Sequence, residues 1–193
     1  RLRGRGELTE AEDWGVQEDI PLRELLREIT NAEQWQEFES SRDLDFAHAV
    51  AGVGRFRANY FVQRSGAAAV FRLIPETILS VDELGLPAAI RSLAHLDKGL
   101  VLVTGPTGSG KSTTLAALIN EINRNHARHI VTIEDPVEFV HENKRAVLSH
   151  REVGTHSRGF GPALRSAVRQ DADVVLVGEM RDRETIEIAL TAA

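Results

Sequence analysis

The sequence predicts an α/β protein in two parts: a parallel sheet wrapped by helices from residue 81 onward, and a smaller α+β region before it. Three patterns carry this expectation. From Gly99 apolar strand-like runs alternate with helical stretches, and near-continuous apolar strands separated by helices mean a parallel sheet covered on both faces. Residues 44–74 change to a period of two around a turn. Residues 7–40 carry apolar positions at helical spacing instead.

Composition sets the bounds. The 193 residues are 42% hydrophobic and 27% charged, with 15 Gly and 6 Pro, an ordinary globular balance. The net charge is −6. All of the excess lies in residues 1–43, which hold 6 Arg against 12 Asp and Glu, and the remainder is neutral. An acidic front on a neutral body argues against a nucleic-acid coat. Without cysteine there is no disulfide, thiolate metal site or cysteine nucleophile. No apolar run approaches the roughly 18 residues of a membrane helix, and no signal-peptide pattern is visible, so any membrane connection is expected through partners. The chain opens on Arg1 rather than Met and stops at Ala192-Ala193 inside an uncapped helical pattern; it reads as a piece of a longer protein.

In order along the chain, Leu22, Leu25, Leu26 and Ile29 stand at i, i+3, i+4, i+7 with Pro21 suited to a first turn, and a second helical segment surrounds Trp35 and Phe38. Phe56, Ala58, Tyr60 and Val62 alternate with Arg55, Arg57, Asn59 and Phe61 before the turn residues Arg64-Ser65-Gly66, and Ala69 to Ile74 forms the return of a β-hairpin. Pro75 ends it. The linker is placed at 75–80, between a domain over 1–74 and one over 81–193. Ser80-Val81-Asp82-Glu83 fits a capping box for a helix carrying Leu84, Ile90, Leu93 and Leu96. Beyond it are expected a strand Leu100 to Thr104, a helix Lys111 to Asn125, a strand His129 to Ile133, and a short apolar stretch at Ala146 to Leu148. A helix over Pro162 to Arg169, a strand Asp173 to Val177 and a helix from Asp182 complete the series.

Four constellations carry chemistry. Gly105-Pro106-Thr107-Gly108-Ser109-Gly110-Lys111-Ser112-Thr113 lies between an apolar run and a helix, the context of a phosphate loop. Its glycines let backbone N–H groups face phosphate oxygens, Lys111 supplies a point charge for the β and γ phosphates, and the Ser112 hydroxyl can ligate Mg²⁺ directly. Glu134-Asp135-Pro136-Val137-Glu138 follows the next strand, at the end of a parallel sheet where ligands bind. A carboxylate there can orient or deprotonate a water; a capped turn with solvated glutamates is the alternative. Asp173 to Glu179 resembles a Walker B segment in which Gly178 occupies the usual Asp position and the acid arrives one residue later. Glu179 is therefore expected to reach the metal through water, or else is a solvated acid at a strand end.

The hairpin supplies the fourth. A turn centred between Arg64 and Ser65 sets Arg57 against Arg72, and like charges across a strand pair are destabilising. An anion between them, the γ-phosphate of a nucleotide, resolves that repulsion; splayed surface arginines or a register shifted by one are the alternative. His126, His129, His141, His150 and His156 show no metal-ligand spacing and are expected to be surface or turn residues.

With these motifs assembled, the chain resembles the PilT-type ATPases, retraction motors of type IV pili within the type II/IV secretion ATPases. The resemblance rests on Gly54 to Asn59 (GRFRAN), on 99–117 (GLVLVTGPTGSGKSTTLAA), on 129–141 (HIVTIEDPVEFVH), on REVG at 151–154 and on VGEMRD at 177–182. It implies a RecA-like P-loop ATPase domain, truncated at its C-terminal end, preceded by a PAS-like domain. It implies ATP and Mg²⁺ as cofactors, Glu138 and Lys111 as catalytic residues beside Glu179 as the Walker B acid, and Arg57 and Arg72 brought to the nucleotide. By the same resemblance the whole protein is a cytoplasmic homo-hexamer that powers retraction and twitching motility. It is held at the inner membrane by a pilus platform protein, without inserting into the bilayer and without nucleic acid, and the piece in hand is expected to be inactive alone. A pilus extension or type II secretion ATPase, a nucleic-acid translocase and a nucleotide-binding regulator are the competing readings. His150 stands where the family commonly has Gln.

Overall fold

The computed structural model describes residues 2–4, 7–11 and 15–193. By compactness they fall into two units, one of residues 1–48 with 56–72, the other of 49–55 with 73–193.

In the first unit, β1 (Leu2–Gly4) and β2 (Glu7–Thr9) pair antiparallel, then α1 (Asp19–Glu28) and α2 (Ala32–Ser41) follow. The helical expectation for 7–40 is therefore corrected at its start: Glu7 to Thr9 is a strand because Leu2–Gly4 offers its backbone a ladder, and residues 12–14 of that stretch lie outside the described residues. Asn31 opens α2 with a capping box, its side chain accepting from the Gln34 amide at 2.8 Å while Gln34 accepts from the Asn31 amide at 3.0 Å. β3 (Asp43–Val50), β4 (Gly54–Gln63) and β5 (Gly66–Ile74) form a sheet in that order, with Arg64 and Ser65 as the two-residue turn. β3 was absent from the sequence reading, although Leu44 and Phe46 already alternate with Asp43 and Asp45.

Period two decides what that sheet buries. Leu44, Phe46, Ala58 and Tyr60 pack with Leu26, Trp35 and Phe38 from the helices. Tyr60 is fully buried between the edges of Phe46 and Phe38, and its hydroxyl donates to the Leu26 carbonyl at 3.2 Å, so its polar end is satisfied. Alternate residues on β4 meet acids of β3: Arg57 binds Asp45, and Asn59 donates to Asp43 at 3.1 Å.

In the second unit, the Ser80–Glu83 capping box forms, with the Ser80 amide donating to Glu83 at 2.8 Å. It closes only a turn, because Gly85 at φ +62° and Pro87 interrupt the helix, which is delayed to α3 (Ala88–Ser92). α4 (Lys111–Asn125), β6 (His129–Glu134), β7 (Val147–Glu152), α5 (Phe160–Ala167), β8 (Val174–Val177) and α6 (Arg183–Ala192) follow. The sheet is parallel, in the order β7-β6-β8. β6 is central, and Ile130 to Ile133 are at most 1% exposed because both faces are covered. Ile130, Leu148, Val174 and Leu176 pack with Leu118, Ile119 and Ile122 of α4. Val131, Ile133, Val175 and Val177 pack with Ala163, Leu164 and Ala167 of α5 and Ala189 of α6. Even-numbered residues of β6 and β8 thus share a face with α4, and odd-numbered ones face α5 and α6. Asp182 caps α6, accepting from the Thr185 amide at 2.8 Å.

One expected strand is corrected. Leu100 to Thr104 joins no ladder among the described residues, and Leu100, Val101 and Leu102 are 41%, 37% and 61% exposed. An apolar run becomes a strand only where another edge accepts its hydrogen bonds; β6 is closed by β7 and β8, and Leu100 to Thr104 pairs with neither outer edge of the sheet.

Candidate functional site

The loop before α4 bends through Gly108 at φ +80° and Gly110 at φ +88°, a left-handed region that glycine enters without cost. Gly110 is the N-cap and supplies no side chain, so the first-turn amides of α4 have no side-chain cap. That is an anion-binding helix end, with the dipole adding to the donors. The Lys111 ammonium bends back over the loop and donates to the Gly105 and Pro106 carbonyls, each at 2.9 Å.

Ser112 follows, and its surroundings come from the parity of the sheet. A small cavity is walled by Ser112, Leu115 and Ala116 of α4, by Thr132 and Glu134 of β6, by Leu176 and Gly178 at the end of β8, and by Phe139 and His141. The sheet residues are all even-numbered and lie on the α4 face. Gly178 is closely packed: a Cβ on it would stand 3.3 Å from the Ile133 carbonyl oxygen, tighter than most such contacts, and 3.5 Å from Glu134 Cγ, an ordinary contact.

Glu134 is the carboxylate that shares the cavity with Ser112. Burial raises its pKa above the ordinary glutamate value, and the Glu138 and Glu152 carboxylates push the same way. Hydrogen bonds from the Thr132 hydroxyl and the Glu138 amide, the latter at 3.4 Å, oppose the rise. Glu138 is half-buried in the following turn and is not among the cavity's walls. That turn is pinned by Glu152, whose carboxylate accepts from the Val137 amide at 2.9 Å and from Thr155 Oγ1 at 3.2 Å. Glu179 also stands outside the cavity, paired with Arg181 at 2.8 Å.

Two of the sequence expectations need correcting here. His141 and His150 are not surface residues. His141 is 7% exposed and stacks on His150 with ring centroids 6.0 Å apart. Burial, and then the charges of His150 and Lys144, push the His141 pKa down to about 4; burial lowers that of His150 as well. Arg57 is not an unmatched charge, since the Asp45 carboxylate receives its guanidinium. Asp45 of β3 meets the charge of Arg57 and so removes the premise that an anion is needed between Arg57 and Arg72. Arg72 is exposed on β5. Thr132, His150 and Glu152 are the residues that sequence reasoning left without a role, and within the acidic cluster 134–138 it favoured Glu138 over Glu134 by resemblance alone. The only signal for Thr132 was its even spacing from Ile130.

A family model described as "Type II/IV secretion system protein" matches residues 42–193. The chain belongs to that family. Among curated members, this secretion-system chain is 53% identical over 169 residues to the type IV pilus retraction ATPase PilT of Pseudomonas aeruginosa, covering 88% of this chain and 49% of that protein. It is 51% identical to a twitching motility protein of Neisseria gonorrhoeae, covering 88% and 45%. The crystal structure of the pilus retraction motor PilT with bound ADP superposes with a TM-score of 0.94 at 46% identity, covering 99% of this chain and 56% of that one. The chain thus spans about half the length of the curated relatives it matches. The mixed α/β fold is that of these ATPases. No helix among the described residues is long and apolar enough to cross a membrane.

Proposed function

We propose that the protein carrying this chain hydrolyses ATP to drive retraction of type IV pili, and with it twitching motility. The observation that carries the reading is the uncapped, glycine-bent N-terminus of α4, whose Ser112 shares a cavity with the Glu134 carboxylate. Similarity to PilT, a motor solved with ADP, supports the ligand and the process. In this reading the loop amides and Lys111 bind the β and γ phosphates. Release of the Lys111 ammonium from the Gly105 and Pro106 carbonyls frees two donors for phosphate oxygens. Glu138 orients the attacking water for in-line displacement and takes up its proton. Arg57 and Arg72 add positive charge at the γ-phosphate, a role supported by resemblance.

Mg²⁺ fits the donors present. A serine hydroxyl and a carboxylate facing one cavity are hard oxygen groups, and no cluster of three or more His, Cys, Asp or Glu forms a cage among the described residues. That suits an ion held mainly by phosphates and water. Ser112 would hold it directly and Glu179 through water, and when bound it neutralises charge developing on the phosphate oxygens. The active form is a homo-hexamer in the cytoplasm, attached to the inner membrane by a platform protein.

The test is phosphate release by the full-length protein, with and without DNA, beside Lys111→Ala. Loss of about 100-fold or more in kcat/KM is expected, because no other loop residue brings a cation to the phosphates. Undiminished hydrolysis in the variant refutes the site, and hydrolysis that requires DNA refutes the pilus motor.

A further inference from the structure

We propose that His150 is a positioning residue of the nucleotide site, holding the Glu134 carboxylate through the Thr132 hydroxyl in the cavity shared with Ser112. The proposal rests on the hydrolytic reading above and deepens it.

Thr132 and His150 are register partners across β6 and β7, and His150 Nδ1 lies 3.0 Å from Thr132 Oγ1. At the other end of the ring, Nε2 is 3.2 Å from the His141 amide nitrogen, whose hydrogen is aimed at it, and 3.3 Å from the His141 carbonyl oxygen. A backbone amide can only donate, so Nε2 accepts and the proton of the neutral imidazole sits on Nδ1. With His150 Nδ1–H donating to it, the Thr132 hydroxyl keeps its own hydrogen free to donate. Thr132 and Glu134 stand two apart on one face of β6 and wall the same cavity, so the Glu134 carboxylate is the acceptor within that cavity toward which this hydrogen is directed. All hydrogens run one way, from His141 N–H to His150, from His150 Nδ1–H to Thr132, and from Thr132 O–H to Glu134.

Such a chain answers a local problem. Glu134 is largely buried beside the carboxylates of Glu138 and Glu152, which favour its rotation away or its protonation. Aligned neutral dipoles ending on its oxygen fix its orientation without adding another charge to the crowd. Glutamine at 150 offers a donor and an acceptor on one planar group and can replace both ring nitrogens; leucine replaces neither. Valine at 132 keeps the shape of threonine and removes the hydroxyl, while serine keeps it.

Two readouts on the full-length protein decide the matter. Solid-state ¹⁵N spectra of histidine-labelled protein, assigned by the signals lost in His150→Gln, should show His150 as the neutral Nδ1–H tautomer. In steady-state kinetics, Thr132→Val and His150→Leu should each lower kcat about tenfold while KM for ATP stays within about twofold, as expected for one lost hydrogen bond that acts on turnover. The double variant should lose no more than about twofold beyond the slower single variant, and Thr132→Ser and His150→Gln should remain within about threefold of the parent. Recovery in these two conservative variants separates lost positioning from failed folding. Additive losses, or His150→Gln as slow as His150→Leu, overturn the proposal, as does lost ATP affinity at unchanged kcat. A hydrolysing parent with the Nε2–H tautomer overturns the hydrogen-bond chain and leaves the hydrolytic reading standing. A parent without hydrolysis but with the Nδ1–H tautomer does the reverse.

Discussion

His141 is a base buried against the cavity that Ser112 and Glu134 share, and removing its titration should flatten the acid sensitivity of the second unit. In the unfolded chain it takes up a proton near pH 6.5, whereas in the folded protein protonation waits until about pH 4. Between those values the unfolded state binds more protons, so stability rises with pH: the contribution is complete above about pH 6.5 and is lost as pH falls toward 4. The whole shift corresponds to about 3 kcal/mol. From about pH 7 to about pH 5, and allowing for solvent screening at the cavity mouth, about 1–2 kcal/mol should disappear. His141→Gln keeps a polar side chain and removes the titration. Urea unfolding of parent and variant at both pH values measures the difference. It is best followed by hydrogen exchange in β6 and β7, because both tryptophans, Trp14 and Trp35, precede these strands by far in sequence. His150, whose pKa burial also lowers, adds a slope of the same sign to both proteins, so the difference between them isolates His141. Equal slopes, or a steeper one in the variant, would refute the burial argument.

Glu138→Gln should leave ATP affinity within about twofold and lower kcat by about 100-fold, since it removes a base and keeps the shape; collapsed affinity with an unchanged rate per bound nucleotide would make it a binding residue instead. Glu134→Gln should unfold at a higher temperature than the parent in mildly alkaline buffer, because burial disfavours the ionised acid. That gain should vanish in buffers below the ordinary glutamate range, where the carboxyl is protonated in both states, while turnover falls at least tenfold, roughly the scale of one lost polar contact in the transition state. Arg57→Ala and Arg72→Ala should each slow ATP turnover more than they weaken ADP binding, and non-additively, if both meet the γ-phosphate. Arg57→Ala alone also strands Asp45 and should cost roughly 0.5 kcal/mol of stability, visible in thermal unfolding.

What could be read in the sequence was local. The glycine spacing before Lys111 dictates both the loop and the start of α4, since left-handed backbone and a helix N-terminus are properties of a few consecutive residues. The same holds for the two-residue turn at Arg64-Ser65, the Asp182 cap and the apolar run of β6. Everything that depended on a partner from elsewhere in the chain was decided by tertiary structure. Leu100 to Thr104 has the composition of a strand but pairs with no edge among the described residues. Arg57 looked unmatched until β3 placed Asp45 beside it. Glu134 and Glu138 were equivalent acids in sequence; strand parity set Glu134 on the α4 face with Ser112, and the turn carried Glu138 out of the cavity. His150 became a neighbour of Thr132 only through the parallel register of β6 and β7. Hydrogen-bond ladders and sheet faces are relations between segments distant in sequence, and no short pattern in either segment can state them.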